Sequence, residues 1–268
     1  MRLAANLSLM FTEVPLLERF EKAARAGFKT VEIQFPYEEN IDDLVAAKNK
    51  AGVNVCLINV PAGDLMKGGE GLACVPGKEK EFEHALNLCW KYAHALDVDM
   101  VNVLPGRCEY VGQEEVYLNV FKHNLSKAAN AFAKHDILVT FEAINTKDMP
   151  GFIIHSSQQM LDVMDELQHD NIKMQFDIYH MHLMDGHVDE VIKHHGHMIG
   201  HIQFADVPGR GEPLSGNLNF HGIFEDIRFS HYHGYVAAEY RPTGLTEDSL
   251  KWKETFDLGW LDEPAKIK

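Results

Sequence analysis

Eight short runs of β-type character recur along this chain, and stretches with helical periodicity stand between them. The runs are LAANLSL, TVEIQF, NVCLINV, MVNVLPG, ILVTFEAI, IKMQFDIYH, IGHIQFAD and YVAAEY. Amphipathic segments such as PLLERFEKAARAG, NIDDLVAAKNKAG, KEKEFEHALNLCWKYAHAL and SSQQMLDVMDELQHD separate them, several closed by the Gly or Asp/Asn favoured at a helix end. Parallel strands need a crossover to reconnect, so this alternation implies a parallel sheet with helices as the crossovers. Eight such repeats within about 250 residues point to an α/β fold, a closed (β/α)8 barrel, with an open doubly wound sheet as the runner-up. No GxGxxG follows the first run, which weighs modestly against a dinucleotide-binding sheet. Residues 1–268 are expected to form one domain, with TEDSLKWKETFDLG supplying a closing helix around 246–258. The connections PAGDLMKGGEGLACVPGKEKE and VPGRGEPLSGNLNFHG exceed ordinary turn lengths and are placed to cover the barrel mouth.

Composition narrows the partners. At 268 residues and 46% hydrophobic content the chain can bury a large core. A formal net charge of −15 repels phosphate, which argues against nucleic acid and anionic membrane and for a small-molecule partner. The four cysteines, Cys56, Cys74, Cys89 and Cys108, form no CxxC pair and suit a reducing compartment. The apolar N-terminus lacks a small-residue cleavage site, and no apolar stretch reaches membrane-spanning length, so a soluble cytoplasmic protein is expected. Assembly into a homo-oligomer stays open.

In such a barrel the active site lies at the C-terminal ends of the strands. Glu142, Asp177 and Glu239 come late in the fifth, sixth and eighth runs, and Gln203 interrupts the seventh, all among apolar residues. Adjacent strands would gather three carboxylates whose repulsion at low dielectric a cation must offset. An oxygen-rich set selects a hard divalent ion, Mg²⁺ or Mn²⁺. The competing reading pairs each acid separately with a strand-end Arg or Lys. For four consecutive strands with few basic residues in the same runs, the metal-site reading is the stronger.

The opening AANLSLMFTEVPLLERFEKAARAGF, the tripeptide FPY at Phe35–Tyr37, the loop GGEGLACVPGKE, HIQFADVPGRGEP and AAEYRPTGLTEDSL together resemble the hydroxypyruvate isomerase family of the xylose isomerase-like barrels, whose relatives include isomerases of 2-oxo-tetronates. The resemblance spans nearly the whole chain. It implies that Glu142 and Glu239 are the proton donor and acceptor, and that Glu142, Asp177, Gln203 and Glu239 hold the metal. Ketose 3-epimerases of the wider superfamily place His where Gln203 stands, and they use a His three residues after the Asp and an Arg after the seventh strand. His180 and Arg210 occupy those places and are candidate substrate-binding residues.

A Gln in place of His leans the metal further toward Mg²⁺ or Mn²⁺ and away from zinc. Arg210 offers the fork that a 2-oxo acid's carboxylate wants, while for His180 a substrate-orienting role and that of a hydrogen-bonded mouth histidine weigh equally. His182, His187, His194, His195, His197 and His201 are read as a solvated helix face, as are His84, His94 and His123. The expected activity is interconversion of a small 2-oxo hydroxy acid and its aldehyde isomer, such as hydroxypyruvate and tartronate semialdehyde, by enediolate proton transfer between neighbouring carbons. The alternatives are a ketose 3-epimerase, which would use the acid pair on one carbon; a phosphodiesterase on damaged DNA, which would want a His-rich zinc site and a basic face; and a non-catalytic sugar-acid binding protein on the same fold.

Overall fold

A computed structural model of the chain describes residues 2–267. Eight strands, β1 (Leu3–Asn6), β2 (Thr30–Ile33), β3 (Asn54–Asn59), β4 (Met100–Val103), β5 (Leu138–Glu142), β6 (Ile172–Asp177), β7 (Ile199–Phe204) and β8 (Tyr235–Ala238), fall within the eight β-type runs. Each pairs in parallel with its sequence neighbours, and β8 pairs with β1 to close the barrel. Helices α1 (Leu16–Arg25), α2 (Ile41–Ala51), α3 (Glu79–Leu96), α4 (Glu114–Ala133), α5 (Ser157–Leu167), α6 (Ile178–Met184), α7 (Val188–His195) and α8 (Phe220–Phe229) supply the crossovers.

Side chains alternate across each strand, so one set faces the helices and the other fills the barrel. Val31, Ile33, Val101, Val103, Val139, Phe141, Phe176, Ile202 and Phe204 belong to the main core that the helices cover. The other set changes character along the barrel axis. Ala4, Cys56, Leu57, Met100, Leu138 and Ala237 make a small apolar plug at the N-terminal end. Two residues further along the same strands stand Asn6, Asn102, Thr140 and Glu239, all buried. Two more along β5 bring Glu142, and the same step along β6 leads from Gln175 to Asp177. The period of two therefore carries an apolar floor into a polar top.

The closing segment departs from the expected helix over 246–258. It forms two single-turn helices, α9 (Thr246–Ser249) and α10 (Trp252–Thr255). The break lets two side chains bury at once. Thr246 Oγ1 accepts from the Phe11 backbone at 2.7 Å, while Trp252 turns its ring onto Phe204 and donates from Nε1 to the Tyr240 hydroxyl at 3.2 Å. Among the described residues no helix is long and apolar enough to cross a membrane.

Candidate active site

A cavity of about 530 Å³ opens at the C-terminal ends of the strands, lined in part by Glu142, Glu239, His180 and Arg210. Glu142, the last residue of β5, is buried and accepts at Oε2 from Gln175 Nε2 at 2.9 Å and Asn102 Nδ2 at 3.2 Å. Glu239, just past β8, accepts at Oε1 from Gln34 at 2.7 Å and Asn6 at 2.9 Å, and at Oε2 from Arg210 at 2.7 Å. Burial, then repulsion from Asp177, raises the Glu142 carboxyl above the usual carboxylate range. Burial also raises Glu239; the Arg210 charge opposes this, and Asp177 and Glu142 add to it. Each carboxyl therefore adds to the cost of ionising the other.

Asp177 ends β6 and caps α6, its Oδ1 accepting from the Tyr179 amide at 2.8 Å. Its Oδ2 faces Arg210 Nη2 at 3.0 Å and His180 Nε2 at 3.4 Å. Burial lowers the His180 pKa to about 4, so the ring is neutral. The Asn145 backbone amide and its Nδ2 both point at His180 Nδ1, at 3.4 and 2.6 Å. Asn145 is itself fixed by two bonds with Asp148, one donated and one accepted. Two donors on Nδ1 leave the ring proton on Nε2, aimed at Asp177 and, 3.9 Å away, Glu142.

Arg210 arrives on the loop after β7, its backbone in the left-handed region at φ 56°. Burial acts to lower its pKa, but Glu239, Asp177 and Glu142 more than offset that and raise it. Its guanidinium also lies over the Tyr179 ring, 5.2 Å from the centroid. The substrate carboxylate was the expected partner of Arg210; in the structure its Nη2 is engaged with two site carboxylates. One arginine thus serves two acids, part of the separate-pairing reading set against the metal.

The loop that carries Arg210 is organised by Asp206. This buried carboxylate accepts from the amides of Val207, Leu214, Gly216 and Leu218 at 2.8–3.0 Å. Gly216 is required here, since a Cβ would sit 2.3 Å from the Val207 carbonyl oxygen.

Gln203 lies one layer deeper than the cavity wall. Its Oε1 accepts from Gln175 at 2.8 Å and its Nε2 donates to Glu32 Oε1 at 2.7 Å. Glu32 also accepts from Asn6, which in turn donates to Glu239, so a hydrogen-bonded chain runs from Glu142 through Gln175, Gln203, Glu32 and Asn6 to Glu239. His201 corrects the sequence reading. It is fully buried in β7 with Nε2 2.5 Å from Glu32 Oε2, whereas His84, His94, His123, His187, His194 and His197 are exposed as expected. Glu32, Gln175, Asn6 and Asn102 were missed, though Glu32 carries the same mark as Glu142, a carboxylate inside an apolar run.

A model of the xylose isomerase-like TIM barrel family matches residues 20–259. The chain belongs to that family. Among curated members, the hydroxypyruvate isomerase of Escherichia coli (strain K12) is 41% identical over 258 residues, covering 96% of this chain and 99% of the relative. The 2-oxo-tetronate isomerase of Haemophilus influenzae is 34% identical over 255 residues, covering 95% and 99%. A crystal structure titled AP endonuclease, family 2, from Brucella melitensis superposes with a TM-score of 0.91 at 36% identity, over 95% of this chain and 98% of that one.

In this xylose isomerase-like barrel, Glu142, Asp177 and His180 each offer an atom within 4.8 Å of the others, all buried. Two carboxylates with an imidazole fit a divalent ion by donor chemistry. The lone pair of His180 faces Asn145, which leaves Glu142 and Asp177 as the nearer oxygen donors; Glu239, whose Oε2 meets Asp177 Oδ2 through Arg210, would join them only on releasing that arginine. Gln203 would join them only by turning its Oε1 away from Gln175.

Proposed function

We propose that this protein is an isomerase that interconverts a small 2-oxo hydroxy acid and its aldehyde isomer, with hydroxypyruvate or a 2-oxo-tetronate as the substrate class. The observation that carries this is the pair Glu142 and Glu239, buried at the ends of β5 and β8, both with raised carboxyl pKa, and lining one cavity. Relatives with that activity match nearly the full chain.

One glutamate removes a proton from the carbon bearing the hydroxyl, and the other returns a proton to its neighbour. Turnover needs one of them ionised as base while the other is protonated as acid, and their roles exchange in the reverse direction. The neutral His180 presents its Nε2–H toward the same space and donates to a substrate oxygen as charge builds on it. Arg210 keeps Asp177 and Glu239 from repelling the developing anion. A Mg²⁺ or Mn²⁺ held by Glu142, Asp177 and Glu239, with Gln203 if its amide turns, would supply Lewis-acid polarisation of adjacent hydroxyl and carbonyl oxygens.

The test is a panel of 2-oxo acids and ketoses with Mg²⁺ in D₂O, followed by NMR. Conversion of hydroxypyruvate to the aldehyde with deuterium entering the carbon skeleton is the expected result. Epimerisation of a ketose with no turnover of any 2-oxo acid would replace this reading with the epimerase one.

A further inference from the structure

We propose that Arg107, on the loop after β4, recognises the substrate carboxylate and thereby sets specificity for an acid over a neutral sugar; this rests on the reading of the substrate as a small 2-oxo acid. Three arginines line the cavity: Arg107, Arg210 and Arg241. Arg210 is engaged with Asp177 and Glu239. Among the described residues Arg107 and Arg241 form no ion pair with any carboxylate, although the chain holds 40 Asp and Glu against 25 Lys and Arg. In so acidic a protein, an arginine facing a cavity without a carboxylate has its charge left for a ligand.

Arg107 is the better placed of the two. Arg241 is exposed, where screening weakens a single ion pair. Arg107 is half-buried, and the long loop after β3 holds it in place. Its amide donates to the Glu70 carbonyl at 2.9 Å, its Nη1 donates to the Gly68 carbonyl at 3.3 Å, and Cys74 Sγ reaches its own carbonyl at 3.5 Å. Gly106 permits this contact, because a Cβ there would lie 2.6 Å from the Glu70 carbonyl oxygen. The guanidinium is thus anchored by one neutral acceptor, and its Nε has no partner. Leu104 and Ile144, both buried, line the same cavity and lower the local dielectric, which strengthens a charge-assisted bond to an anion. Pre-positioning by the loop also reduces the ordering cost of binding. The carboxylate would lie on the β4 side, leaving the hydroxyl and carbonyl carbons to the glutamates.

The test compares wild type, Arg107→Ala, Arg107→Lys and Arg241→Ala, each checked for a cooperative thermal transition. The probes are D-glycerate, a carboxylate with no 2-oxo group, and uncharged dihydroxyacetone, with binding measured by calorimetry in Mg²⁺ and turnover of hydroxypyruvate alongside. Arg107→Ala should weaken D-glycerate about tenfold to a hundredfold, the loss expected for a bond to a charged group, and leave dihydroxyacetone unchanged. Arg107→Lys should recover only part of it, because an ammonium lacks the fork. KM for hydroxypyruvate should rise in parallel while kcat holds. Equal losses for both probes, no loss for D-glycerate, a loss confined to Arg241→Ala, or no D-glycerate binding by wild type would each overturn the assignment. Arg107-dependent binding of D-glycerate without turnover of hydroxypyruvate would sink the proposed activity and leave the carboxylate site standing.

Discussion

Glu142 and Glu239 keep different company, and that difference bears on how each should respond to substitution. Among the described residues Glu142 accepts hydrogen bonds only from neutral amides, while Glu239 carries the Arg210 contact as well. Glu142→Gln and Glu239→Gln preserve volume and one oxygen but remove the titrating group. Each should lower kcat by roughly 10² to 10⁴, the usual contribution of a positioned acid or base, with the fold intact. Because isomerisation needs both transfers, the double variant should be little worse than either single one; losses that multiply would mark two independent ligands instead. That these two glutamates would face the barrel mouth was legible in the sequence, because each follows an apolar strand run at its C-terminal end. Glu32 and His201 were not, for a physical reason. A buried acid and imidazole satisfy one another 2.5 Å apart across the barrel, and a pairing between β2 and β7, 169 residues apart, leaves no local signal. His201 also follows His194 and His197, which are exposed, so its neighbours argued for the wrong face, although His182 and His195 are themselves half-buried.

At the scale of elements, the strands were readable because helices cover one face and the barrel interior the other, so every strand is a nearly continuous buried run. The closing segment was less so: its periodicity is helical, yet Thr246 and Trp252 are both buried, and one straight helix cannot place both against Phe11 and Phe204. The loop after β7 shows the same limit more sharply. Its length marked it as a mouth cover, but the four amides gathered by Asp206 could not be foreseen from spacing. Asp206→Ala should free those amides and let Arg210 drift from Asp177 and Glu239. A displaced charge at a reacting centre costs about 10² in rate, so kcat/KM should fall by that order. Global stability should fall by no more than about 2–4 kcal/mol, because the released amides reach water. Kinetics with a urea melt would check both, and unchanged kcat/KM would show that the loop orders Arg210 without Asp206.

For the molecule as a whole, the polar top of the barrel carries a charge imbalance that folding must accommodate. Among the described residues, Glu142, Asp177 and Glu239 converge with Arg210 as their one paired cation and a neutral His180. The carboxyls of Glu142 and Glu239 titrate above their ordinary range, so the folded, metal-free chain favours their protonated forms. The sign follows from linkage: that preference stabilises the fold at low pH and is lost as pH rises through the raised values. A divalent ion would replace the protons on these carboxyls, and its binding free energy would appear as stability because the unfolded chain has no such site. After chelation, adding Mn²⁺ at about a hundred times its Kd should stabilise the protein by about 2.7 kcal/mol, a rise in Tm of about 5–10 °C for a chain of this size. With the Mn²⁺ concentration held the same at both pH values, the rise should be larger at pH 8 than at pH 6, since at the lower pH the ion must displace protons from both glutamates and its Kd is weaker. Asp177→Ala removes an oxygen from the set, so the Mn²⁺ increment should vanish while the metal-free variant still melts cooperatively. An equal increment in wild type and Asp177→Ala would place the ion elsewhere. No increment in wild type at either pH would leave Arg210 and protonation of the glutamates as the whole of the charge balance, and the isomerisation would then rest on Glu142, Glu239 and His180 alone.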